Sequence, residues 1–465
     1  MEPQEQSDRE TCRVIVLGRN REDVLLRVSQ AGFFLPSVEV PRWQRLAEHL
    51  TAGLRRDLGR GAVCLFTPKN PSSRSETNGT HYEVMECWHD EGRAGGGVWN
   101  PIGSLTERSF QDKAEFQILE QCLRESDCYE RDTSSPFAKR GWLAELRNWT
   151  AEIIQPLGLE LTGQFCQYNA SPSFSLIRFE TNGPAVWFKA VGEPNQREFP
   201  ITLKLAELFP MFTPEILGTQ PKWNGWLSRE AAGTNLGDTK ETAKWERTAA
   251  DLARLQLRSI SQSELILNSG AHDLRPDTLL ASADPFFDLV AQLMEEQTKI
   301  PPPALSRQEL NLLKLRIQDS LTLLEELRIP SGLGHLDLNP GNIIVSADQC
   351  RFVDWAEAYV GHPFFSFQYL LEHFRRAVVP SPETESRLME AYKAPWQNLV
   401  PADVVDEALM LAPLAAVFAY AAGTGAWRDQ QRLRDQNLAG YFRSLARRMN
   451  REAIQFIERR SPCLS

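Results

Sequence analysis

The chain has 465 residues, enough for two or three domains, and its 42% hydrophobic and 24% charged content is that of an ordinary globular protein. With 51 basic against 61 acidic side chains the net charge is −10, and no long basic run interrupts it. A general nucleic-acid binder is therefore excluded. Residues 1–8 are acidic and polar, unlike a signal peptide. The longest apolar run, residues 408–422, contains Pro413 and is too short to span a bilayer, so a buried helix and no membrane partner are expected. Eight cysteines lie scattered without a C-x2-C pair, as expected of reduced thiols in a cytoplasmic protein.

Taken in order, residues 13–17 and 23–27 read as strands around a polar turn. Gly32-Phe33-Phe34-Leu35-Pro36 follows, then a helix over 42–58 that stops at Gly59. Strands are expected at 62–66, at 81–88 and around Val98, with loops at 70–78 and 90–97 and a helix over 111–124. This order, with F-L-P ahead of the first helix, resembles a Nudix-type α/β/α fold. That resemblance implies glutamates on the helix that hold metal on a pyrophosphate. Here Leu54-Arg55-Arg56-Asp57 stands in the place of the paired glutamates, and Glu39, Glu48 and Asp57 do not make the motif. A non-catalytic Nudix-like module is the expectation; an active hydrolase and an unrelated α/β module stay open. Residues 131–136 are the best linker.

Apolar residues at helical spacing, from Trp142 to Ile154, predict an amphipathic helix over 142–157. Strands follow at 160–167, 173–180 and 185–191, the last carrying Lys189, with Thr181-Asn182-Gly183 as the second turn. Asn195 and Glu198 have capping-box spacing, and Pro200 suggests that the next helix begins there. Residues 222–227 read as a strand. Helices are expected at 239–257, 277–297, 306–327, 363–376, 382–392, 402–422 and 430–459.

The most specific stretch is Gly334-His335-Leu336-Asp337-Leu338-Asn339-Pro340-Gly341-Asn342, followed twelve residues on by Asp354-Trp355. Pro340-Gly341 turns the loop, 343–345 reads as a strand leaving it, and 351–353 as the return strand that brings Asp354 beside Asn342. The side chains suit phosphoryl transfer from ATP. Asp337 is placed to accept the proton of an attacking hydroxyl, and Asn342 and Asp354 offer hard oxygens to magnesium. A buried polar turn that caps a hairpin explains Asn339 and Pro340, but not two acids and an amide converging on one point.

The H-x-D-x4-N run and the following Asp resemble the catalytic loop of the aminoglycoside phosphotransferase and choline kinase group, over roughly residues 145–460. The resemblance implies an α+β, bilobal protein-kinase-like fold, with an antiparallel-sheet small lobe and a mostly helical large lobe. The expected domains are 1–130 (Nudix-like), 131–145 (linker and start of a helix), 146–238 (small lobe) and 239–465 (large lobe). By the same resemblance Lys189 binds the α- and β-phosphates and Glu198 holds it; an exposed strand lysine and a helix cap are the plainer readings of these two. The turn at 167–173, poor in glycine, covers the phosphates with Ser171 or Ser173. Backbone groups at Arg229, Glu230 and Ala231 bind adenine. His335 structures the loop. Relatives often carry an acid where Ser366 stands, so the bracing of the loop is in question. Trp355 is expected between the lobes, and Glu357 near magnesium or a cationic substrate, or simply at the surface.

The function expected is that of an ATP- and Mg2+-dependent kinase of a hydroxyl on a small molecule. A catalytically silent nucleotide-binding regulatory module is the alternative. A protein-kinase role is disfavoured, because no D-F-G, A-P-E or activation loop lies between Asp354 and Pro363.

Overall fold

The computed structural model describes residues 9–19, 22–41, 45–69, 81–90, 97–378, 381–429 and 431–460. The loops expected at 70–78 and 90–97, and the start of the first helix at 42–44, lie wholly or largely outside the described residues. The chain divides into two compact units, residues 1–199 with 215–230, and residues 200–214 with 231–465.

The first unit opens with β1 (Arg9–Leu17), β2 (Asp23–Ser29), β3 (Gly32–Phe34), β4 (Ser37–Pro41), α1 (Leu46–Leu58), β5 (Arg60–Phe66), β6 (His81–Asp90), β7 (Val98–Pro101) and α2 (Lys113–Arg131). The strands form one seven-stranded sheet in which β1 runs parallel to β6 and antiparallel to β2 and β4. Period-2 alternation splits the strand residues between the two faces. Val14, Val16, Cys64 and Met85 pack with Leu50 and Leu54 of α1. Ile15, Leu17, Val63 and Val84 pack with Ile118 and Leu119 of α2. Gly59 ends α1 in a left-handed conformation at φ 66°, which glycine adopts without a Cβ penalty. Asp112 caps α2 by accepting from the N–H of Ala114 at 2.9 Å.

The rest of the first unit is α3 (Trp142–Ile154), β8 (Leu161–Ser171), β9 (Phe174–Thr181), β10 (Val186–Ala190), the start of α4 (Glu198–Leu208), β11 (Ile216–Gln220) and β12 (Gly225–Arg229). These strands make a five-stranded antiparallel sheet in the order β11-β12-β10-β9-β8. Phe188, Val186 and Leu227 from it share one core with Trp142 and Leu143 of α3 and with the α2 face of the first sheet. The strand expected over 222–227 starts only at Gly225, because residues 221–223 form a 3-10 turn begun by Pro221, which lacks the N–H a ladder needs.

The second unit is mostly helical. It holds most of α4, β13 (Thr234–Asn235), α5 (Thr242–Ser259), α6 (Ser263–Asn268), β14 (His272–Leu274), α7 (Pro276–Glu295), α8 (Arg307–Glu326), β15 (Gly332–His335), β16 (Ile343–Val345), β17 (Cys350–Phe352), β18 (Ala358–Gly361), α9 (Phe364–Ala377), α10 (Pro382–Trp396), α11 (Ala402–Gly423) and α12 (Gln436–Arg460). Two three-stranded sheets, β13-β16-β17 and β14-β18-β15, flank the motif loop. Capping boxes at Ser306/Glu309 and Ser381/Thr384 start α8 and α10. The apolar α11 meets the length and hydropathy of a spanning helix, but Leu411, Leu414 and Phe418 lie in the core of this unit. The fold class is α+β, with the antiparallel-sheet and helical parts expected from the sequence.

Candidate active site

The loop between β15 and β16 carries Asp337 and Asn342. Asp337 is exposed, while His335 and Asn342 on either side are buried. Its carboxylate is oriented by two amides: Asn339 Nδ2 donates to Oδ1 at 3.1 Å and Asn342 Nδ2 donates to Oδ2 at 3.2 Å. Asn342 Nδ2 also donates to the Asp337 carbonyl at 3.0 Å, so its Oδ1 is the oxygen turned away from Asp337. Asn339 accepts from the N–H of Gly341 at 2.9 Å, which closes the turn at Pro340.

β16 and β17 then return the chain as an antiparallel pair, with Ile343 opposite Phe352. The N–H of Val353 donates to the carbonyl of Asn342 at 3.0 Å, so Asp354 follows directly beside Asn342. Asp354 adopts φ 67°, ψ 57°, a left-handed conformation that a non-glycine residue holds at a cost, Asp more readily than most. Strained backbone of this kind gathers at functional sites.

His335 behaves as the loop-structuring residue. The N–H of Asp337 donates to its Nδ1 at 3.1 Å, so Nε2 carries the proton and donates to the carbonyl of Val353 at 3.2 Å. Burial pushes its pKa down, which keeps the ring neutral and this tautomer in place. One imidazole thus ties the two halves of the motif together. Ser366 supplies the brace that the sequence left in question: its hydroxyl accepts from the N–H of His335 at 2.8 Å and lies 3.0 Å from the hydroxyl of Tyr359. Tyr359 crosses under β15 so closely that a Cβ on Gly334 would lie 1.9 Å from its ring. Trp355 packs inside the core of the second unit, its ring 4.9 Å from that of His335.

In the first unit, Lys189 sits mid-strand in β10, opposite Leu176 on one side and Trp226 on the other. Its Nζ donates to Glu198 Oε1 at 2.5 Å, with side-chain exposures of 13% and 1%. Glu198 opens α4 two residues earlier than Pro200 suggested. Pro200 is tolerated there because the first-turn N–H groups have no partner inside the helix, and a carboxylate at that end is favoured by the helix dipole.

The segment 167–173 is more strand-like than expected. β8 runs to Ser171, paired with Phe174, and only Pro172 and Ser173 remain in the turn. Ser173 packs onto Gly192, where a Cβ would lie 2.4 Å from the serine's own. Among the three residues expected to bind adenine, the N–H of Arg229 donates to Glu215 and that of Glu230 to Ala185. The Glu230 carboxylate takes a bidentate pair from Arg178 at 2.7 and 3.1 Å, which pulls its pKa down.

Two further residues near the loop escaped the sequence reading. Burial lowers the pKa of His373 on α9, Arg376 adds to that, and the charge of Asp337 opposes it. Burial and the Tyr420 hydroxyl at 2.6 Å raise that of Tyr441 on α12, with Asp337 and Glu357 adding to the effect. Glu357 lies 3.3 Å from His272 Nε2. The only sequence signal of His373 and Tyr441 is residue type, because two separate helices bring them to the motif.

The motif loop thus brings together a carboxylate oriented by two amides, an amide oxygen and, at the end of the returning strand, a second carboxylate. Residues 228–399 match the model of the phosphotransferase enzyme family. Comparison with curated proteins gives no match. Among solved structures, the chain is similar to macrolide 2'-phosphotransferase from Brachybacterium faecium, at 17% identity, covering 62% of this chain and 97% of that one, with a TM-score of 0.40. It is also similar to a choline/ethanolamine kinase family protein from Mesorhizobium loti, at 15% identity, 68% and 95% coverage and a TM-score of 0.45. Choline kinase LicA from Streptococcus pneumoniae is similar at 12% identity, 66% and 99% coverage, with a TM-score of 0.44.

Proposed function

We propose that the chain transfers the γ-phosphoryl group of ATP, with Mg2+, to a hydroxyl of a small molecule. The observation that carries this reading is the Asp337 carboxylate, exposed at the loop surface yet aimed by Asn339 and Asn342. In the proposed reaction Asp337 orients the acceptor hydroxyl and takes its proton as the bond to phosphorus forms. Lys189, held by Glu198, takes the α- and β-phosphates. Ser171, Ser173 and the backbone at 229–231 complete nucleotide binding.

The donor set fits magnesium. Among the described residues no group of three or more His, Cys, Asp or Glu could cage a metal. One carboxylate, Asp354, and one amide oxygen, Asn342 Oδ1, are the protein share that Mg2+ takes when phosphates and water fill its other positions. When bound, the ion neutralises charge that develops on the phosphoryl oxygens. Residues 1–130 are read as a Nudix-like module without hydrolase chemistry. The first helix offers Glu48 and Asp57, and Asp57 is already held by Arg56 at 2.7 Å.

Two measurements test the proposal. Millimolar magnesium-ATP raises the melting temperature of the full chain, since a ligand that binds only the folded state stabilises it. A panel of hydroxylated metabolites, among them aminoglycosides, amino alcohols and sugars, contains at least one whose presence accelerates ATP consumption. ATP binding with no consumption on any acceptor would favour a silent regulatory module instead.

A further inference from the structure

In the first unit two arginines lie over the ring of one tryptophan. The guanidinium carbon of Arg19, in the β1–β2 turn, lies 4.2 Å from the Trp88 ring centroid, and that of Arg147, on α3, lies 4.0 Å from it. The two guanidiniums are therefore within about 8 Å of one another, the sum of those distances. Among the described residues neither meets a carboxylate, in a chain with more acids than bases. Neighbouring arginines do meet them: Arg13 pairs with Glu115, Arg140 with Asp127 and Glu130, and Arg178 with Glu180 and Glu230. Two acids close in sequence to Trp88 and Arg147, namely Glu86 and Glu145, are committed elsewhere. Both oxygens of Glu86 accept from the N–H of Gly141 at 2.9 Å, and Glu145 pairs with Lys222 at 2.7 Å.

Cation–π contact recovers part of the cost of desolvating the guanidiniums but does not cancel their repulsion. Partial burial and the charge of Arg19 both push the pKa of Arg147 down. Arg19 is exposed and Arg147 half-buried, so the forks of N–H donors around the indole remain open to a ligand.

We propose that Arg19 and Arg147 around Trp88 form a binding site for a phosphate-class oxyanion, the phosphomonoester group of a small metabolite, separate from the ATP-binding residues. A tetrahedral dianion matches two positive charges and offers each planar guanidinium two oxygens, while the fixed indole holds both forks in place. The site joins the first sheet to α3, so its occupancy stabilises the packing of that sheet on the sheet that carries Lys189, within one unit.

The test is a thermal-shift titration of the full chain with sodium phosphate at constant ionic strength, on the wild type and on Arg19→Gln, Arg147→Gln and Lys189→Met. The wild type is expected to show a saturable rise in melting temperature at low millimolar phosphate. Each arginine variant weakens the apparent affinity about 10- to 100-fold, the loss of one charge-assisted hydrogen-bonding group, and Lys189→Met retains it. Without phosphate, Arg19→Gln melts no lower than the wild type, because it removes a repulsion. An absent rise, an equal rise in both arginine variants, or loss of the rise only in Lys189→Met would each overturn the proposal. Because Lys189→Met removes the ATP-binding lysine, failure of the kinase reading and failure of this site give different results.

Discussion

Asp354 holds a left-handed backbone conformation and Glu83 a fully buried carboxyl, and each makes a prediction at the scale of one residue. Asp354→Asn keeps a side chain tolerant of that conformation and removes the charge. The magnesium-ATP shift of the variant should weaken. A large loss of stability with the shift intact would show that Asp354 acts in folding and not on the metal. Glu83 receives a hydrogen bond from Thr67 at 2.7 Å, yet burial raises its pKa to about 7, above the 4.5 of a free carboxyl. The folded state binds this proton more tightly than the unfolded one. The contribution to stability is therefore full below pH about 4.5 and is lost as pH rises through about 7. Glu83→Gln keeps the hydrogen-bonding shape without the charge. Its melting temperature should gain on the wild type as pH rises from 5 to 8, with little difference at the acid end. A constant offset across that range would contradict the assignment.

Among elements, β15 and β18 carry the tightest constraint. Gly334 lies against the Tyr359 ring, and Tyr359 in turn touches Ser366, which anchors His335. Gly334→Ala should destabilise by about 1–3 kcal/mol through overpacking, read as a lower denaturant midpoint, with a fall in any phosphotransfer activity because the loop moves with Tyr359. An unchanged midpoint would mean that the ring moves aside freely. This chain of contacts also shows where sequence reading stops. The motif loop and its hairpin were legible because turn residues and strand runs lie within twenty residues of each other. The amphipathic α3, α5, α7 and α8 were legible from their spacing. Ser366 as a brace was not, since its partners are a backbone N–H on β15 and a phenol on β18. β11, β13 and β14 were missed because strands of two to five residues carry too little pattern to stand out. Glu198 was placed by motif order alone; the start of α4 ahead of Pro200 reflects the salt bridge to Lys189, which local propensity does not encode.

For the whole molecule, the first sheet and the sheet bearing Lys189 share a core, so the properties of residues 1–130 are best measured in the full chain. The full chain should release no phosphate from nucleoside diphosphate derivatives with added metal, because the helix that would carry the glutamates offers Leu54, Arg55 and Arg56 instead. Metal-dependent cleavage that survives Asp337→Asn and Asp354→Asn would place a hydrolase in that region. The central claim, that Asp337 is the base of a phosphotransferase, is tested most directly by product formation. With an acceptor found in the screen, the rate of phosphorylated product is measured for the wild type and for Asp337→Asn, beside the magnesium-ATP shift of each. The account predicts a fall of about 10²- to 10⁴-fold in rate with the shift retained, since Asp337 accepts a proton and holds no metal; an Asp337→Asn protein that forms product at the wild-type rate would contradict it.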